Sequence, residues 1–115
     1  MNNFVHEHIN CAAFYAVSSQ CLKSRADSVE LSDKMQQLSG AAYSRGMQYG
    51  DAIKLSRKVH PARLEMAIGT MMSDMEKNCA NISIILNQYA YACKRLMENP
   101  EEALGRLLAG RPLKD

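Results

Sequence analysis

Two histidines and a cysteine close to the N-terminus are of the residue types that bind metal ions. His8 and Cys11 are three residues apart and would share one face of a helix, whereas His6 would lie off that face. Soft thioether ligands suit Cu(I), and three methionines supply them later in the chain: Met71, Met72 and Met75. One hypothesis is therefore a periplasmic copper carrier that uses His6, His8 and these methionines. Because terminal histidines are usually solvated and methionines at this spacing usually pack in a core, we expect neither a metal nor another cofactor.

The cysteines allow a second kind of chemistry. There are four of them, and their spacing fits neither a structural zinc site, whose ligands come in close pairs, nor a Cys-x-x-Cys redox motif: Cys11, Cys21, Cys79 and Cys93. Two interpretations remain open, namely two disulfides in an oxidising compartment or four buried thiols in a reducing one. We favour the disulfides.

The sequence contains no common signature of catalysis. It lacks a Gly-x-Ser-x-Gly nucleophile motif, a His-Glu-x-x-His zinc motif and a glycine-rich phosphate loop. Nucleic-acid binding is not expected either, because the densest basic stretch, between Lys54 and Arg63, has no interleaved aromatic residue to stack on bases. With 14 basic and 12 acidic residues, the net charge is only +2. We expect a protein that is not an enzyme and does not bind nucleic acid.

Apolar residues recur with helical spacing along nearly the whole chain, and no sustained alternation predicts a strand. The 115 residues suffice for one domain. We expect an all-α, single-domain bundle of four main helices plus one or two short ones over residues 1–110, followed by a loose tail over 111–115. The first helix is apolar on more than one face, so it should be buried on two sides. Asn99-Pro100 is the clearest helix start, since asparagine caps a helix and proline suits its first turn.

The predicted second helix combines a narrow apolar stripe with unusually small residues. Four of its apolar residues have helical spacing and are expected to face the core: Leu31, Met35, Leu38 and Ala42. Small residues between Gly40 and Gly46 would let two helix backbones approach closely. Gly50 predicts a break, after which Asp51 would cap a short helix with three apolar residues: Ala52, Leu55 and Val59.

Helix geometry restricts which cysteines can pair. At about 1.5 Å of rise per residue, Cys11 and Cys21 lie roughly 15 Å apart on one helix, whereas bridged α-carbons lie about 4.4–6.8 Å apart. Cys79 and Cys93 fail the same test, so any bridges join the first helix to the region of the fourth. Because the first and last helices of an up-down-up-down bundle are antiparallel, we expect Cys11 to pair with Cys93 and Cys21 with Cys79. This pairing requires Cys79 to lie in a turn.

Tyrosine and methionine side chains are candidates for contact with a partner protein. Tyrosine suits interfaces that are half wet, and flexible thioethers can line an adaptable groove. Tyr89 and Tyr91 are two residues apart and must point to different sides of a helix, and we take Tyr91 as the exposed one. We expect Tyr91, Tyr49 and Met72 to contact the partner.

The function classes that remain are binding classes. No run of about 18 apolar residues predicts a membrane span, and no signal peptide is recognisable, as expected both of a cytosolic protein and of a mature secreted domain. Our principal hypothesis is a secreted or periplasmic, disulfide-stapled helical protein that binds another protein as an inhibitor or immunity-type protein, without catalysis. A homodimer is compatible with it. Besides the copper carrier, the alternative is a cytoplasmic helical adaptor or phage regulatory protein with reduced cysteines.

Overall fold

The chain folds into five α-helices, with no strand in the part that the structure, a computed structural model, describes: residues 1–24 and 28–113. The helices are α1 (Asn2–Lys23), α2 (Val29–Ala52), α3 (Val59–Asp74), α4 (Ser83–Glu98) and α5 (Pro100–Leu108). A 3₁₀ turn over Cys79–Asn81 precedes α4. None of the described helices is long and apolar enough to cross a membrane. The predicted all-α bundle of four main helices plus one or two short ones is confirmed, with α5 as the short helix.

The first helix, α1, is the centre of the bundle. Thirteen of its 22 residues are buried, and they are spread around the helix instead of forming one stripe. The other four helices all contact it. The prediction that this helix is buried on more than one side is confirmed, and the core is built around it.

Hydrogen bonds between side chain and backbone fix the direction of α2. Ser19 and Ser32 each donate a hydroxyl proton to the other's carbonyl oxygen, at 2.9 and 2.8 Å. Ser39 donates to the carbonyl of Ala12 at 2.7 Å. Residue numbers therefore rise along α2 as they fall along α1, so the two helices are antiparallel and close together.

The other two long helices complete an up-down-up-down arrangement. In α4, Cys93 is bonded to Cys11 and the ring of Tyr89 lies 6.0 Å from that of Phe14, so α4 is antiparallel to α1. The start of α3 lies near the start of α1, and the turn after α3 is bonded to the end of α1. Therefore α3 runs parallel to α1.

The C-terminal half of α2 makes close approaches at two glycines. A Cβ atom on Gly46 would lie 2.7 Å from Cδ1 of Ile9, and one on Gly50 would lie 2.9 Å from the ring of His60. Real Cβ atoms do not come so close to their neighbours, so these places accept only glycine without movement. The prediction that small residues between Gly40 and Gly46 permit close approach is confirmed at Gly46. Gly50 makes the same kind of contact, although the sequence pattern did not predict it there.

The predicted break at Gly50 is wrong. The helix continues through Gly50 to Ala52, because this glycine serves close contact with α1 and α3 and not a change of direction. The short helix predicted after Asp51 is also wrong. Residues 53–58 form hydrogen-bonded turns, and Val59 already begins α3.

The inner face of α2 consists of small residues, unlike the predicted apolar stripe. Its buried residues are Ser32, Ala42, Gly46 and Gly50. Of the predicted stripe, Ala42 is buried and two residues are half-buried, but Leu31 is 45% exposed. The prediction for Leu31 is wrong because Ser32, which is hydrogen-bonded to Ser19, takes the position that faces α1 near the start of α2.

The start of α5 agrees with the prediction from sequence. The side chain of Asn99 accepts a hydrogen bond from the backbone N–H of Glu102 at 3.4 Å, and Pro100 stands in the first turn. Arg95 lies 3.5 Å from the carboxylate of Glu102, so an ion pair also connects α4 to α5. These contacts fix the sharp turn between the two helices.

The residues after α5 fold back onto the domain. Arg106 is nearly buried and donates two hydrogen bonds to the carbonyl of Pro112, at 3.1 and 2.9 Å. Leu113 is buried as well. The predicted loose tail is therefore held to the domain at Pro112, by its carbonyl, and at Leu113, by burial of its side chain. Lys114 and Asp115 lie outside the described residues, and the domain boundary at residue 110 stays a prediction.

Replacing Gly50 with alanine tests the close approach of α2 to His60. Alanine favours a helix over glycine by about 1 kcal/mol, but its methyl group would lie 2.9 Å from the fully buried ring of His60. We expect Gly50→Ala to lower the free energy of unfolding by about 1–3 kcal/mol, measured by urea denaturation with circular dichroism.

Gly40→Ala is the matched control on the same helix, because nothing lies within 4 Å of a Cβ atom at Gly40. This change should stabilise the protein by about 0.5–1 kcal/mol. A Gly50→Ala protein as stable as the Gly40→Ala protein would contradict the described contact.

Candidate functional site

Two disulfides connect α1 to the second half of the chain. Cys11 is bonded to Cys93 in α4, with α-carbons 5.5 Å apart, and Cys21 is bonded to Cys79 in the 3₁₀ turn, with α-carbons 5.3 Å apart. Both predicted pairs are confirmed, and so is the placement of Cys79 in a turn. Since all four cysteines are bonded, none supplies a thiolate as nucleophile or metal ligand.

A groove of about 640 Å³ is open between α2 and α3. Its floor is α1, its walls are the facing sides of α2 and α3, and the Cys21–Cys79 bridge lies at one end. We refer to it as the α2–α3 groove and define it by residues of its floor and walls: Ala16, Val17, Gln36, Ser39, Ile68 and Met72.

The groove is apolar inside and polar at its rim. Val17 is buried, and Ile68 and Met72 are half-buried against the core. Gln20 and Lys23 line the rim and are exposed, and Lys23 is the charged residue among the described lining. An apolar cleft with a few polar groups is the common form of a binding site. The groove is therefore the best candidate for contact with another molecule.

Outside the groove lining, at the start of α3, His60 brings α3 into contact with α2. Its ring lies against Gly50 of α2, 2.9 Å from the position of a Cβ atom there, and its centre is 6.4 Å from that of Tyr43. Helices α2 and α3 are thus in contact at this end. They diverge from there toward the Cys21–Cys79 bridge, where the groove is open.

Two fully buried histidines have ring nitrogens without a hydrogen-bond partner among the described residues. Nδ1 of His8 donates to the carbonyl of Phe4 at 2.9 Å, which leaves its Nε2 as an unpaired acceptor, and both ring nitrogens of His60 are unpaired. Burial lowers the pKa of His8, and the charge of Arg45 lowers it further. The fold therefore accepts His8 as a neutral ring.

The residues of the copper hypothesis do not form one site. The buried ring of His8 packs 5.3 Å from the ring of Tyr49, whereas His6 is exposed and lines a different cleft. The three methionines are divided between the core and the groove: Met71 and Met75 in the core, Met72 in the groove. Within residues 1–24 and 28–113, no group of three or more His, Cys, Asp or Glu is arranged to hold a metal ion.

The three residues predicted to contact a partner lie in different surroundings. Met72 lines the groove. Tyr91 is 55% exposed, as expected, and the guanidinium of Arg95 lies 5.3 Å from the centre of its ring. Tyr49 is half-buried, with its ring 4.8 Å from that of Phe4, so it packs as part of the core. Contact of these residues with a partner stays a prediction, and Met72 is the one within the groove.

The α2–α3 groove cannot be predicted from the sequence. Ile68 belongs to a helical apolar seam, and Gln36 and Ser39 have the character of a solvated helix surface. The groove exists because α2 and α3 are both held on α1 while they stand apart from each other over this length. No local sequence pattern indicates the distance between α2 and α3.

Comparison with known protein families, with curated proteins and with solved structures gives no match to this chain. Function is therefore inferred from the chemistry of the described residues. The α2–α3 groove and the two disulfides next to it are the features that carry the inference.

The buried His8 predicts a loss of stability in mild acid. Its pKa in the folded protein lies below the ordinary value of 6.5, so the unfolded chain takes up the proton first as the pH falls. The stability associated with neutral His8 is complete above the pKa of the unfolded chain and declines below it. The contribution of His8 to the free energy of unfolding falls by at most about 1.4 kcal/mol per pH unit.

Urea unfolding of the protein and of a His8→Leu variant, from about pH 7.5 to about pH 5.5, measures this decline. The variant should lose less stability over the range than the parent. Other titrating groups, including Glu7, whose pKa is raised by burial, are present in both proteins and cancel in the difference. The same pH dependence in both proteins would refute the neutral burial of His8.

Proposed function

We propose that this protein acts by binding another protein, and that the α2–α3 groove receives an apolar segment of that partner. The observation that supports the proposal most is the groove of about 640 Å³, apolar inside and polar at its rim. Buried apolar contact surrounded by a polar rim is the usual composition of a protein interface. No catalytic step is part of the proposal.

The disulfides favour a groove that is formed before the partner arrives. The Cys21–Cys79 bridge stands at the open end and connects the floor helix to the turn after α3, and the second bridge ties α1 to α4. A surface that already has its bound shape loses less conformational entropy on association. Rigid walls therefore favour tight and selective binding.

The dimensions of the groove favour an amphipathic helix as the bound segment. Between Ala16 and Lys23 the floor helix rises by seven residues, or about 10 Å, which matches apolar residues at i, i+4 and i+7 of a partner helix. The flexible thioether of Met72 can adapt its shape to such an anchor. Lys23 would pair with a carboxylate beyond the last anchor, because opposite charges at a rim guide orientation.

An inhibitor or immunity-type role agrees best with these features. Such a protein needs a compact, rigid surface and no reacting group. Disulfides persist in oxidising compartments, which supports a periplasmic or secreted location. The proposed partner is a different protein. If the groove binds only other copies of this chain, the proposal is wrong.

Counting thiols distinguishes the proposed extracytoplasmic binder from a cytosolic adaptor with reduced cysteines. Protein purified from its native host without reductant is denatured and titrated with a thiol reagent. We expect no free thiol, because both cysteine pairs are bonded. A count near the total of four cysteines would instead favour the cytosolic alternative.

Acidic substitutions in the groove should weaken partner binding. The partner is captured from the extracytoplasmic fraction of the native host, identified by mass spectrometry, purified and titrated against this protein by calorimetry. Ile68→Asp and Met72→Asp each place a carboxylate in an apolar wall, where it would be desolvated on binding. Each should raise the Kd at least tenfold, with circular dichroism confirming that the variants fold.

Leu108→Asp is the matched control, because Leu108 is 66% exposed on α5 and lies outside the groove. It introduces the same charge at an exposed apolar position and should leave the Kd unchanged. If the purified partner binds both groove variants with the Kd of the parent protein, the groove is ruled out as the binding surface.

A further inference from the structure

A second concave surface lies on the other side of α3. It is a cleft of about 260 Å³ between α1, α3 and α4, and we refer to it as the polar cleft. Arg63, Met66 and Thr70 line it from α3, whereas Ile68 and Met72 line the α2–α3 groove. At about 100° per residue these two sets lie on opposite sides of the helix. The cleft is thus separate from the proposed protein-binding groove.

Polar side chains from three helices converge on this cleft. They comprise an imidazole, an amide, a guanidinium and two hydroxyls: His6 and Asn10 from α1, Arg63 and Thr70 from α3, and Tyr89 from α4. Met66 and Ala67 add apolar surface, and Met66 is 73% exposed. Convergent polar groups can orient the charged end of a small ligand while the adjoining apolar surface covers its body.

Arg63 has no ion-pair partner among residues 1–24 and 28–113, because no carboxylate of these residues lies within ion-pair distance of its guanidinium. Its hydrogen bond to Oδ1 of Asn2 is long, at 3.4 Å. A guanidinium has five donors, so most of them are left to bind an anion in the cleft.

His6 stands close enough to Arg63 to sense its charge. Partial burial lowers the pKa of His6, and the charge of Arg63 lowers it further. An anion bound between Arg63 and His6 would offset the charge of Arg63 and raise the pKa of His6, because a negative charge favours the protonated imidazole. Bound anion and proton uptake by His6 would therefore reinforce each other.

The other end of the cleft is unfavourable to a second negative charge. Burial raises the pKa of Tyr89, and the nearby carboxylates of Asp74 and Glu7 raise it further. A ligand with anionic groups at both ends would be repelled there. The charges along the cleft therefore favour a ligand with a single anionic group.

We propose that the polar cleft binds a small organic monocarboxylate, with its carboxylate on Arg63 and His6 and its apolar body on Met66 and Ala67. This site does not depend on the proposed protein partner. The binding free energy combines a charge-assisted hydrogen bond to the guanidinium with burial of apolar surface on α3.

Titration with 4-methylpentanoate, followed by nuclear magnetic resonance of the full-length protein, tests the site. We expect saturable shifts in the signals of His6, Thr70 and Tyr89. Acetate lacks the apolar body, 4-methylpentanamide lacks the charge, and inorganic phosphate differs in both, so each should bind at least tenfold more weakly. Equal binding of the amide, or tighter binding of phosphate, would overturn the proposal.

Arg63→Gln should raise the Kd for 4-methylpentanoate at least tenfold. Lys58→Gln is the matched control, because it removes one positive charge at an exposed position just before α3 and outside the cleft. Similar losses in both variants would show a general attraction of anions and no site.

The pKa of His6, read from its ring protons, gives a second measure. At the carboxylate concentration that saturates the parent, the pKa of His6 should rise in the parent and much less in Arg63→Gln, which stays mostly unbound. Among the described residues, the charge that acts on His6 is that of Arg63, and those that act on Tyr89 are Asp74 and Glu7. The carboxylate probe stays ionised near neutral pH. An unchanged pKa of His6 at saturation would place the ligand elsewhere.

Discussion

The enclosure of α1 by the other helices is the constraint on which the rest of the structure depends. A helix that is buried around most of its surface has no broad polar face, so the polar side chains that it buries need partners inside the protein. Ser19 does so through the paired hydrogen bonds with Ser32, and His8 through the carbonyl of Phe4. Because α2, α3 and α4 each pack on α1 more than on any other helix, they take their positions from α1, and α5 follows α4.

Both disulfides attach to this central helix, one near its middle and the other near its C-terminal end. They close chain segments with sequence separations of 82 and 58 residues, and each contributes about 4 kcal/mol in the chain-entropy model. Since α2 and α3 are held on α1, they do not need contact with each other along their whole length. An open groove between them is compatible with a stable fold for this reason, and the same arrangement leaves a cleft on the far side of α3.

Sequence alone predicts the parts of the structure that follow from helix geometry. The cysteine pairing follows because rise per residue forbids bonds within one helix and the antiparallel first and last helices of the bundle disfavour the crossed pairing. Asn99 begins α5 because its side chain caps the first turn. The inner face of α2 could not be predicted from hydrophobicity. Its contact with α1 is so close that small residues face inward, which leaves Leu31 exposed and makes Gly50 a packing residue. The candidate site was predicted only through Met72, because a groove depends on distances between helices.

Native-state hydrogen exchange measures the central claim most directly. If α1 is the enclosed axis of the fold, its amides between residues 8 and 21 should exchange only by global unfolding, with the free energy obtained from urea denaturation. Amides of the outer helix α5 should exchange through smaller, local openings. Exchange of the α1 amides at a lower free energy than those of α2 or α4 would contradict the account, because α1 would then open while its neighbours stay folded.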